Sequence, residues 1–314
     1  MTQTTIGQSI ECTGVGLHSG KTVRLGLRPA PENTGIVFLV KTSHGIREIS
    51  PRPEIVTDTG LATTLGTGDA RVSTVEHLLA AIRGLGIDNI YIDAEGGEIP
   101  IMDGSAAPFV LLLGKVGIVR QNAPRRILRI KKPISFSRDG KSIEAFPHDG
   151  FAVEYTINFP HRLIGIQKMR LELTPRSFAE VSRARTFGFL HEVEYLHKNG
   201  LALGGSLDNA IVLDECSILN KEGLRFSDEF VRHKVLDFIG DMAMLGIPLQ
   251  GRFVVSCSGH ALNNEFLRTI TTNSHAYLEA VSLGDAPQEQ RRRRIRTVPA
   301  PGTRPMGHPL PNVA

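Results

Sequence analysis

Two stretches of this chain follow one plan, and that repetition limits the folds it can adopt more than any single motif does. The first, "VSTVEHLLAAIRGLGIDNIYIDAEGGEIPIMDGSAAPFVLLL", reads as a helix ending at Leu85-Gly86-Ile87, a strand, a turn and a second helix from about Gly104. The second, "SDEFVRHKVLDFIGDMAMLGIPLQGRFVVSCSGHALNNEFL", has a helix ending at Leu245-Gly246-Ile247, a strand and a helix led by Gly259. Glycine directly after an apolar run of helical period is a stop signal. Recurrence of a whole supersecondary unit implies two similarly built α+β domains arising from an internal duplication. A chain of 314 residues is long enough to give each its own core. The expected division is residues 1–120 and 126–284, with the polar Gln121-Asn-Ala-Pro-Arg-Arg126 as linker.

Other segments fit the same class. "IECTGVGLHSGKTVRLGLRPA" reads as a β-hairpin; its Gly14-Val-Gly16 lacks the third glycine and the helix of a dinucleotide fingerprint. "RILRIKKPISF" and "GFAVEYTINFP" read as strands, and "FAEVSRARTFGFLHEVEYLHKNGLALGGSLDNAIVLDE" carries a helical pattern and a Gly-rich turn. The net charge of +4 is concentrated at one end. Residues 285–314 hold six Arg and two acidic residues, leaving 30 basic and 30 acidic residues in 1–284. That Arg/Pro-rich tail is too poor in apolar residues to fold and reads as a solvated, disordered segment rather than a nucleic-acid arm. Cys12, Cys216 and Cys257 are odd in number and widely spaced, which fits free thiols in a reducing compartment. No apolar run is long enough to span a bilayer, and the first residues have no secretory pattern, so a cytoplasmic protein is expected.

The stretch "FVRHKVLDFIGD" spaces His233, Asp237 and Asp241 four residues apart, on one helical face. Alone, this reads as a solvated face with an i, i+4 charge pair. Ser227 is the expected N-cap, with Asp228 and Glu229 in the first turn. Ser73 and Glu76 have capping-box spacing, which accounts for Glu76 structurally but leaves His77 unexplained. His260 opens the last helix of the second repeat. A His-x-x-x-Asp pair can grip one ion if a third ligand arrives from elsewhere, and His77 is the best candidate. Two nitrogens and one oxygen, with a fourth position left open, match a catalytic zinc site.

The motifs "STVEHLLAA", "IPIMDGSAAPF", "RARTFGF", "LALGG", "EFVRHKVLDFIGD" and "SGHALNN" occur in this order. From about residue 4 to 275 the chain resembles the UDP-3-O-acyl-N-acetylglucosamine deacetylases, zinc amidases of lipid A biosynthesis. The resemblance implies paired α+β domains, each layering sheets with helices, and an active site enclosed between them. It further implies an inserted β-α-β unit around 180–213. The expected reaction is hydrolysis of the N-acetyl group of a UDP-linked acylated glucosamine, with one Zn2+ per chain held by His77, His233 and Asp237. Glu76 is the implied general base and His260 the general acid or electrostatic partner, oriented by Asp241. Thr186 would face the oxyanion, Lys234 the diphosphate and Phe159 the nucleotide end. Which of Glu76 and His260 delivers the proton to the departing amine is left open.

An acylated substrate needs an apolar passage. Phe187, Val193, Leu201, Ala202 and Ala210 of the middle section are candidates, with Leu17 of the hairpin closing the other side. Ordinary core packing would account for each taken singly. The resemblance also implies a monomer that meets the inner-membrane surface transiently. A zinc amidohydrolase of another substrate class would use the same centre. Arg162 stands where the family often has Pro, and Ala62-Thr63-Thr64 lacks a cysteine that some members carry near the metal.

Overall fold

The computed structural model describes residues 1–284; the tail expected to be disordered, 285–314, lies outside the described residues. The hairpin forms from Ile10–Val15 and Thr22–Pro29. In its second strand Val23, Leu25 and Leu27 are buried while Arg24 and Arg28 face solvent, the period-2 alternation of a sheet with one covered face. Five strands follow the order Ile10–Val15, Thr22–Pro29, Ile90–Glu95, Ile36–Thr42, Gly45–Ile49. Successive pairs run antiparallel, antiparallel, parallel, antiparallel.

The C-terminal half repeats that order and those directions. Ile134–Arg138, Lys141–Phe146, Leu249–Ser256, Phe151–Phe159 and Gly165–Glu172 again pair antiparallel, antiparallel, parallel, antiparallel. Arg126–Ile130 and Leu278–Ser282 extend this sheet to seven strands. The duplication read from the helix–strand–helix pattern is therefore also a duplication of sheet topology, and the α+β class holds.

The helices are α1 (Glu76–Gly84), α2 (Ala107–Val116), α3 (Pro175–Ser182), α4 (Leu190–Lys198), α5 (Glu229–Met242), α6 (His260–Thr272) and α7 (Ser274–Tyr277). The two predicted stops are left-handed glycines, Gly86 at φ 76° and Gly246 at φ 69°. Phe238 of α5 packs its ring 6.2 Å from Phe151 and 5.6 Å from Phe253 of the sheet. The buried apolar side chains of both halves form one contiguous cluster. The halves meet where α1 lies against α5. The contact is so close that a Cβ at Gly240 would fall 2.1 Å from the Glu76 carbonyl oxygen. That approach sets the first residues of α1 beside the middle of α5.

Three local expectations are corrected. The segment read as a linker is largely a strand, Ile118–Pro124, paired antiparallel with Thr2–Ile6. Its polar residues are satisfied at long range: Gln121 donates to the Ala30 carbonyl at 2.9 Å and accepts from Asn89 at 2.7 Å. The capping box is not formed. Thr74 has φ 58°, α1 begins at Glu76 after Val75, and the Ser73 backbone bonds instead to Gly97 and Ile99. The N-cap of α5 is Asp228, not Ser227, and no side chain caps it. The middle section does hold a β-α-β unit: Phe187–Phe189 and Ile211–Leu213 pair in parallel around α4.

Candidate metal centre

Helix α5 has no solvated face at its polar positions. His233, Asp237 and Asp241 are each only 3% exposed, so the exposed-stripe reading fails. Glu229 explains how the start of the helix is anchored. Its carboxylate is fully buried and accepts from the Arg185 Nε at 2.9 Å and backbone N–H at 3.0 Å, and from the Arg225 N–H at 2.6 Å. A buried carboxylate requires such compensation. It ties α5 to the segment bearing Ala184, whose carbonyl accepts from His233 Nδ1 at 3.1 Å. A carbonyl can only accept, so Nδ1 carries the proton and Nε2 presents its lone pair.

His77, on α1, joins His233 and Asp237 in one cluster. His233 Nε2 lies 3.3 Å and His77 Nε2 3.5 Å from Asp237 Oδ1, and one ligand atom from each of the three residues falls within 4.8 Å of the others. Asp237 Oδ1 is buried and has no hydrogen-bond partner among the described residues; Oδ2 accepts from Lys234 Nζ at 2.8 Å. Burial lowers the His233 imidazole to about 4, with Asp237 opposing. Burial also works against the Asp237 carboxylate, but His233 and the Lys234 ammonium outweigh it and hold the group well below the usual carboxylate range. A neutral imidazole and an ionised, unsatisfied carboxylate oxygen are the forms a divalent metal requires. The residues present therefore fit a metal drawn from both halves of the chain.

Glu76 and His260 border this cluster. Freed from a capping role, the buried Glu76 carboxylate accepts from the Thr63 N–H at 3.1 Å. Burial raises its pKa, with His260 and His77 opposing. His260 Nε2 lies 3.8 Å from Glu76 Oε1, and its Nδ1 is 2.7 Å from Asp241 Oδ2. Burial pushes the imidazole down, but Asp241 outweighs it and the pKa rises to about 9. Asp241 is itself fixed by the Thr63 hydroxyl at 2.8 Å and by Asn263 Nδ2 at 2.7 Å. Neither Thr63 nor Asn263 was singled out from the sequence. Thr63 lies in the Ala62-Thr63-Thr64 stretch that lacks the cysteine of some family members, and no local pattern links it to Asp241.

The cluster opens into a cleft of about 590 Å³, whose walls include Phe159, Thr186, Lys234 and His260. Thr186 is placed by its backbone, which donates to the Gly104 carbonyl and accepts from Ile211, both at 2.8 Å. Lys234 lines the cleft, with one of its ammonium's three donors on Asp237 Oδ2 at 2.8 Å. A second cavity of about 440 Å³ shares Leu61, Thr186 and Phe187 with the cleft. Leu17, Phe187, Val193, Ala202 and Ala210 all line it, as expected; Leu201 does not and is 38% exposed. The hairpin reaches this wall because Gly204 donates to the Leu17 carbonyl at 2.9 Å. No described helix is long and apolar enough to cross a membrane.

Comparison with known proteins agrees with this geometry. Residues 3–272 match the family model described as LpxC, UDP-3-O-acyl N-acetylglycosamine deacetylase. A protein of Nitratidesulfovibrio vulgaris named UDP-3-O-acyl-N-acetylglucosamine deacetylase is 66% identical over 288 residues, covering 92% of this chain and 94% of the relative. Proteins of the same name from Oleidesulfovibrio alaskensis and Lawsonia intracellularis are 64% and 54% identical, over 96% and 86% of this chain and 98% and 89% of their own lengths. The chain belongs to the UDP-3-O-acyl-N-acetylglucosamine deacetylase family.

Proposed function

We propose that this hydrolase removes the N-acetyl group of UDP-3-O-acyl-N-acetylglucosamine, releasing acetate and a free 2-amine in the committed step of lipid A biosynthesis. One observation carries the reading of the site: nitrogens of two imidazoles and an unsatisfied carboxylate oxygen converge from both halves, beside a carboxylate and a carboxylate-held imidazole. His77, His233 and Asp237 would hold one Zn2+, which when bound polarises the acetamide carbonyl and activates water as a nucleophile. Glu76 takes a proton from the attacking water, its carboxylate oriented by the Thr63 N–H.

His260 supplies the proton to the departing amine. Held by Asp241, it is cationic at neutral pH, and its Nε2 faces the same space as Glu76. The same charge stabilises the oxyanion, and the Thr186 hydroxyl, on the wall of the same cleft, would add a hydrogen bond to it. The acyl chain occupies the cavity walled by Leu17, Phe187, Val193, Ala202 and Ala210, while Phe159 and Lys234 border the path to the nucleotide. Residues 1–120 and 126–284 act as two domains of a cytoplasmic monomer that meets the inner-membrane surface transiently. The test is acetate release by metal-stripped protein with and without added zinc. Zinc restores activity on this reading; no recovery, or a fully active His233→Ala variant, contradicts it. Substrates with exchanged acyl or nucleotide groups separate this enzyme from a zinc amidase of another substrate class.

A further inference from the structure

The hairpin turn that walls the acyl cavity is held by a carboxylate outside it. Leu17 and His18 line that cavity; Glu98 is buried and lines neither it nor the cleft. Four donors converge on Glu98. The His18 N–H at 2.8 Å and the Thr74 hydroxyl at 3.3 Å meet Oε1; the Ser19 N–H at 3.1 Å and the Ser19 hydroxyl at 2.6 Å meet Oε2. A carboxylate has acceptor sites for all four. The fit is tight, since a Cβ at Gly16 would fall 2.2 Å from Oε2. Glu98 is anchored on the other side: it follows the strand Ile90–Glu95 and its backbone bridges to Ser73. The Ser73 N–H donates to the Gly97 carbonyl at 3.1 Å, and its carbonyl accepts from Ile99 at 3.0 Å, so backbone bonds hold the approach to Thr74 without the Glu98 side chain. Residues 17–19 have no such support. Their carbonyls accept from the middle section, Leu17 from Gly204 at 2.9 Å and His18 from Leu203 at 3.3 Å, while the N–H groups of His18 and Ser19 both go to Glu98. Burial pushes the His18 imidazole down, so a neutral ring lines the cavity.

Resting on the acyl-cavity reading above, we infer that Glu98 is the positioning residue that sets the preference for a long acyl chain. It touches no reacting atom. It fixes the backbone of residues 17–19 and thereby places Leu17 and His18 against the chain. The role needs both carboxylate oxygens. A Gln at this position keeps one acceptor oxygen and turns an amide N–H toward donors that then lose their partner.

The test measures kcat and KM of the zinc-loaded full chain on the 3-O-dodecanoyl and 3-O-acetyl forms of UDP-N-acetylglucosamine, with zinc content determined in parallel. Wild type prefers the dodecanoyl form. In Glu98→Gln the ratio of kcat/KM between the two forms falls roughly tenfold. The fall lies in KM for the dodecanoyl form, and zinc content is unchanged because Ser73 keeps its backbone bonds. Two milder variants cover the case in which Glu98→Gln does not fold. Gly16→Ala keeps the carboxylate but drives a methyl into it, and Ser19→Ala removes one of its four donors. Both lower the same ratio, Ser19→Ala by less. A merely structural role would instead reduce kcat on both forms alike and leave their ratio intact. That outcome, or a wild-type preference kept in Glu98→Gln and Gly16→Ala, overturns this inference and leaves the acyl-cavity reading standing. A wild type indifferent to chain length overturns both.

Discussion

Replacing Asp241 with Asn keeps the side chain's shape and removes its charge. Asp241 Oδ2 is 2.7 Å from His260 Nδ1; Asp241 is 3% exposed and the His260 side chain 12%. Burial works to lower the imidazole, and Asp241, followed by Glu76, lifts it to about 9. Without the Asp241 charge the burial effect prevails, and His260 falls to its ordinary value of about 6.5 or below. At about pH 7.5 the protonated fraction then drops from roughly 97% to about 10% or less. If His260 is the proton donor, kcat falls roughly tenfold from protonation alone, before any loss of orientation.

The same linkage affects stability. A folded pKa raised above the unfolded one means the His260–Asp241 interaction stabilises the fold fully below about pH 6.5, and that contribution is lost as the pH rises through about 9. Asp241→Asn should lack most of this dependence. The assay is an NMR titration of the His260 ring in metal-free wild type and variant. A wild-type ring titrating at or below about 6.5, or a variant ring that stays near the wild-type value, refutes the reasoning.

Glu229→Ala leaves the buried Arg185 without its main partner, so denaturant unfolding should show a loss of about 3–5 kcal/mol; a loss under about 1 kcal/mol would mean the pair is not compensating a buried charge. Gly240→Ala sets a methyl against the Glu76 carbonyl and forces α1 away from α5. It should lower stability by about 1–3 kcal/mol and weaken metal affinity as His77 moves, and unchanged metal affinity counts against the two-helix grip. Ala210→Leu should raise KM for substrates with long acyl chains and leave metal content unchanged, whereas an unaltered KM would place the chain elsewhere.

The parts of the fold visible in the sequence are those set by local chemistry. Gly86 and Gly246 end helices because both need a left-handed backbone, and the alternation around Leu25 marks a half-buried strand. His233 and Asp237 were recognisable because helical spacing alone puts them on one face. What stayed hidden depends on partners far along the chain. Ser73 and Glu76 have capping-box spacing, but the turn at Thr74 sends Glu76 inward to the Thr63 N–H. Gln121 looks like linker because its partners, Ala30 and Asn89, lie many residues away. Glu229 looks like a dipole-facing acid of a first turn, and only the fold brings Arg185 to it. Asp241 could be named from its spacing and the family resemblance, whereas its Thr63 and Asn263 partners appear only once both halves are assembled.

The central claim, that one cation is gripped jointly by the two halves, is tested most directly by anomalous diffraction at the zinc absorption edge from crystals of the zinc-loaded protein. The account predicts a single peak per chain, about 2.0–2.2 Å from His77 Nε2, His233 Nε2 and an Asp237 carboxylate oxygen. A peak bound by residues of only one half, or no peak at this cluster, would contradict it.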